Sequence, residues 1–198
     1  MLGLFKKKLP HCDTLFEKFL TPWYDQADPP KMTRPDMYVI SGFNGQPLDL
    51  DKIQYLPDDL LDYNKKQLQT MAEAALSDYQ HIFKSGKLDL NVLDAVDKYF
   101  DRKKISEIIN KSDPTDFSND YVIEVCEFGA TLGHLFNQID GYGWLYAHPY
   151  FHSIIVHKDT GFGITVFDWA VKKFSEYGVD DGFAAKFQMA LESVKQPK

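Results

Sequence analysis

At Asp140-Gly141 the hydrophobic period of this chain changes from about 3.6 to 2. Upstream, Val125, Phe128, Leu132, Leu135, Phe136 and Ile139 fall on one side of a helix expected over about 114–139. Asp113-Pro114 marks its start, because proline at the first helical position gives up no needed hydrogen bond. Downstream, Trp144, Tyr146 and His148 alternate with Leu145 and Ala147, and Ile154 with Val156 and Ile164 with Val166 continue the alternation. That pattern predicts an antiparallel meander over about 144–167 with one covered face, packed on the long helix. The expected class is α+β, mainly helical, in a single domain of residues 1–198. A strand near 37–41 is expected to join the sheet.

Gly129 and Gly133 sit between the apolar and polar sides of the long helix. Each costs about 1 kcal/mol against alanine there, so another backbone is expected close against that edge. Trp144 is expected to be mostly buried on the same helix.

The rest of the chain reads as helices and turns. Leu15, Phe16, Phe19 and Leu20 share a face of a short helix from Cys12 to Trp23, and Pro29, Pro30 and Pro35 mark an arm, so residues 1–36 form an N-terminal helix and Pro-rich arm. Asn44-Gly45 fits a tight hairpin turn. Asn64 with Gln67 reads as a capping box opening a helix that runs to about Phe83. Asp89 is expected to cap a helix, Asp168 another, and Asp180 or Asp181 a last one containing Phe183, Phe187, Leu191 and Val194.

The charge is uneven. Of the net charge of -7, residues 51–140 carry the whole excess, with ten basic against seventeen acidic side chains. Nucleic-acid phosphates need a basic footprint, so this field argues against a nucleic-acid partner and favours a basic protein. Two cysteines make no disulfide framework, and no apolar run has membrane length. A cytoplasmic protein without integral membrane association is expected.

No motif is specific for a reaction. Glu124 and Glu127 are a candidate carboxylate pair, and His134 shares their polar stripe with Thr131 and Gln138. Seven residues separate Glu127 from His134, about 10.5 Å along a helix, which excludes a direct hydrogen bond. Cys126 is read as a packed thiol. His148 and His152 flank Pro149 in an extended context, so they form no helical metal pair; neither a metal nor another cofactor is expected.

Aromatic residues reach 15%, and eight of them fall between Tyr142 and Trp169. Half of these would fill the core, leaving Tyr142, Tyr146, Tyr150 and Phe162 as candidates for a recognition surface. Asp94, Asp97 and Asp101 are the candidate acidic docking residues. The leading expectation is a non-enzymatic cytosolic binding protein that docks or neutralises a basic protein partner, in an accessory or immunity-like role. Two alternatives are a small hydrolase or transferase using Glu124, Glu127 or His134 in an aromatic-lined pocket, and a structural homo-oligomer subunit joined through the aromatic hairpin.

Overall fold

The computed structural model describes residues 8–23, 35–84, 86–178 and 182–195, and across them the fold is α+β and mainly helical. The helices are α1 (Cys12–Phe19), α2 (Leu50–Ile53), α3 (Asp58–Phe83), α4 (Leu90–Tyr99), α5 (Arg102–Lys111), α6 (Asp120–Asn137), α7 (Val166–Lys173) and α8 (Phe183–Ser193). The strands are β1 (Met37–Val39), β2 (Tyr142–Leu145), β3 (Ile154–His157) and β4 (Phe162–Ile164). They form one antiparallel sheet in the order β1-β4-β3-β2, so the early strand pairs at the far edge, Tyr38 opposite Gly163. Among the described residues no helix is long and apolar enough to cross a membrane.

Helix α6 is the axis of the molecule. Tyr121, Val125, Phe128, Leu132 and Phe136 are 0% exposed, and burial extends round most of the helix to include Glu127 and Thr131. A helix covered on nearly all sides sits inside its domain rather than on its surface. Helices α3 and α7 pack on it together with β2 and β3. Aromatic rings fill these seams: Phe136 stacks on Phe187 at 4.0 Å between centroids, and Phe128 meets Phe174 and Phe183 edge-on.

The two helical glycines admit rings, not a neighbouring backbone. A methyl at Gly133 would overlap the six-membered ring of Trp144, and one at Gly129 would lie 2.7 Å from Cε1 of Phe167. Trp144 is therefore seated on α6 as expected but remains partly exposed. Glycine supplies the missing volume that lets an aromatic side chain approach the helix axis.

Several boundaries depart from the sequence expectations because side chains compete for the backbone. Helix α6 starts at Asp120 rather than 114. The Asp113 carboxylate accepts from the Thr115 amide at 2.9 Å and Asp116 from Ser118 at 2.8 Å, turning the chain twice before Asn119 caps Val122 at 3.0 Å. Helix α3 starts at Asp58 after Pro57, so Asn64 is not a cap; it lies inside the helix, 0% exposed. Asp168 lies in the first turn of α7, buried, while Thr165 occupies the cap position. Asn44-Gly45 makes a turn in which Asn44 accepts from the Gln46 amide, with Gly45 at φ +85°, but no strand returns beside β1. Helix α8 begins after Gly182; Asp180 and Asp181 fall outside the described residues, as do the basic start and most of the Pro-rich arm.

Candidate functional site

The Glu124–Glu127 pair lies three residues apart on α6, on the side that α3 covers. Glu127 is 8% exposed. Burial pushes its carboxyl up to about 7, and the charge of Asp78 on α3 adds to the shift. Glu124 rises to about 8, first through burial and then through Glu127, against the opposing pull of Lys104 on α5. Both groups are proton-holding acids near neutral pH.

Facing them from α3 is Tyr79, 1% exposed, whose hydroxyl makes no hydrogen bond. Burial raises its phenol well above the ordinary range, with the charges of Glu124, Glu127 and Asp78 acting the same way. The Thr131 hydroxyl lies nearby but donates to the Glu127 carbonyl at 2.8 Å, and no bond of ordinary geometry joins it to Tyr79.

His134 stands apart from this seam. It is exposed two turns farther along α6, where its Nε2 takes a hydrogen bond from the Gln138 amide. It lines an open groove of about 610 Å³ between α3 and α6, floored by Leu68, Ala72 and Ala130 and ended by Trp144 and Tyr146. A second hollow of about 540 Å³ adjoins it and shares Lys65, Asn137, Trp144 and Tyr146. Neither hollow is lined by Glu124 or Glu127. In neither hollow do the acids and the imidazole meet, as acid–base catalysis by the two together would require.

The aromatic candidates divide. Tyr142 and Tyr150 are core residues, 5% and 7% exposed, so they offer no surface in this fold. Tyr142 packs on Phe136 at 5.4 Å, and the Tyr150 hydroxyl lies 3.5 Å from the Cys126 sulfur. Cys126 is the packed thiol expected, pushed up to about 12 by burial and therefore inert. Tyr146 and Phe162 keep partial exposure. The Tyr146 ring stacks with Trp144 at 6.0 Å, and the Lys65 ammonium lies 5.8 Å from it. Nothing local in the sequence points from Lys65 to Tyr146, because the two meet only in the tertiary structure.

Among the acidic candidates, Asp94 and Asp101 are exposed, although the Asp101 carboxylate also caps α5 by accepting from the Lys104 amide at 2.9 Å. Asp97 is structural instead. It holds the buried Lys173 ammonium at 2.9 Å and accepts from the Ala184 amide at 3.3 Å, tying α4 to α7 and α8.

Among the described residues one metal-like cluster went unread in the sequence: donor atoms of His11, Cys12 and Asp13 lie within 4.8 Å of one another. Its chemistry is already spent. The His11 ring takes the Asp13 amide on Nδ1 and pairs with the Tyr177 hydroxyl on Nε2 at 2.8 Å, and burial lifts the Cys12 thiol to about 11. The chain matches no family model, and no curated protein or solved structure is significantly similar to it.

Proposed function

We propose that this chain is a non-catalytic cytosolic binding protein whose acidic middle docks a basic protein partner. The observation supporting this reading is the fate of the acidic excess. Asp58, Asp59, Asp62, Asp94, Asp101, Asp116 and Asp120 are all exposed, and none enters an ion pair among the described residues. Carboxylates left unpaired at the surface sustain a negative field that guides a cationic partner inward. The separation of His134 from the carboxyl pair weighs against the hydrolase or transferase alternative.

The test is kinetic. A partner captured from lysate at low salt would be measured against the wild type and against Asp94→Lys combined with Asp101→Asn, the asparagine keeping the cap. With a screening length of about 8 Å at physiological salt, association should slow as salt rises while dissociation changes less. The variant should associate about tenfold more slowly at low salt. Association that ignores both salt and these substitutions would reduce the acidic middle to a solubility feature.

A further inference from the structure

Two hollows meet beside Trp144 and Tyr146, and neither is lined by Asp94 or Asp101. The groove between α3 and α6, about 610 Å³, and its neighbour against α2, about 540 Å³, both have the size of small-molecule sites. Trp144 and Tyr146 are two residues apart, so the alternation of a strand puts their rings on one side. The rings stack at 6.0 Å with 23° between their planes. Gly133 lets the Trp144 ring lie against α6, and the pair forms a partly exposed shelf where the hollows join.

Most polar groups around this shelf are already committed. Gln69 donates to Glu73 at 2.9 Å and Gln138 to the His134 imidazole, each along its own helix. Asp49 pairs with Lys52 at 3.0 Å and Lys87 with Asp89 at 3.9 Å. Asp51 and Lys158 line the second hollow and balance each other in charge. Lys65 and Asn137 remain, and both line both hollows. Among the described residues the Lys65 ammonium has no ion-pair partner and lies 5.8 Å from the centre of the Tyr146 ring. The Asn137 side chain makes no hydrogen bond among them.

We propose that this junction binds a small aromatic carboxylate, its ring on the Trp144–Tyr146 shelf and its acid group between Lys65 and Asn137. A carboxylate accepts from an ammonium and an amide N–H at once, and its charge makes both bonds stronger than neutral ones. A planar ring gains stacking area on the shelf. The rest of such a molecule would cover Leu68, Ala72 and Ala130 in the groove. A sugar ring would also lie on aromatic side chains. Its several hydroxyls, however, need free amides and carboxylates, and here those on α3 and α6 satisfy one another.

NMR titration of the full chain tests this with three probes: naphthoate, the uncharged naphthamide and methyl glucoside. The readouts are the Trp144 indole N–H, assigned through Trp144→Phe, and the Asn137 side-chain amide. Naphthoate should shift both signals with a Kd of about 1 mM or below, and naphthamide should bind about tenfold more weakly. Lys65→Gln, at an exposed position of α3, should bring naphthoate down to the level of naphthamide and leave naphthamide unchanged. Equal affinity for the acid and the amide would overturn the proposal, as would preference for the glucoside. So would shifts confined to Trp23 and Trp169, or no binding of naphthoate at several times the expected Kd.

Discussion

Replacing Asp97 with alanine is expected to destabilise the protein by about 3–5 kcal/mol. Its partner Lys173 is 1% exposed, and its ammonium is held at 2.9 Å by Asp97 and at 3.2 Å by the Gly178 carbonyl. With Asp97 gone, an ammonium remains inside the protein with one neutral acceptor, and the Ala184 amide at the start of α8 loses its carboxylate. The converse change costs less, because the Asp97 side chain is 18% exposed and can be hydrated. Combining Asp97→Ala with Lys173→Met should recover much of the loss, since an apolar side chain of similar length needs no counter-charge. Urea melts of the two single variants and the double check this. A loss below about 1 kcal/mol for Asp97→Ala would show the pair to be dispensable. The result bears directly on function: a charge reversal at Asp97 would disturb the fold, so docking must be probed at Asp94 and Asp101.

Gly129→Ala is expected to destabilise by about 1–3 kcal/mol, although alanine is favoured over glycine inside a helix by about 1 kcal/mol. The added methyl meets Phe167, a ring 2% exposed between α6 and α7 with nowhere to move. Gly133→Ala should cost less, because Trp144 is partly exposed and can swing into the groove. That movement should appear as a red shift of tryptophan emission. Thermal melts would rank the pair. If Gly133→Ala proved the more damaging, Trp144 rather than Phe167 would be the ring α6 cannot release.

The departure at α6 illustrates why boundaries were less legible than periods. Asp113-Pro114 is a strong helix start in isolation, but Asp116 and Asn119 offer the backbone equally good alternatives a few residues on. Which acceptor wins depends on where Ser112, at the end of α5, can reach the Tyr121 amide, which it does at 2.9 Å. Only a contact between two helices decides that.

The sequence by itself determined the class of fold, the apolar arc from Val125 to Phe136, the change of period after Asp140-Gly141 and the seating of Trp144 on the long helix. These follow from period, turn chemistry and volume, which act over a few residues. The tertiary structure alone decided the charge state and exposure of the candidates. Glu127 and Thr131 belong to a polar stripe whose exposure no local pattern reveals; α3 packs on α6 and both are buried, while Glu124 beside them stays partly exposed. Tyr142 and Tyr150 read as surface aromatics and became core because α6 lies against the sheet. Asp97 resembles Asp94 in sequence and differs only in facing Lys173. Burial and pairing arise between elements distant along the chain, and a local pattern carries no information about which distant element will cover it.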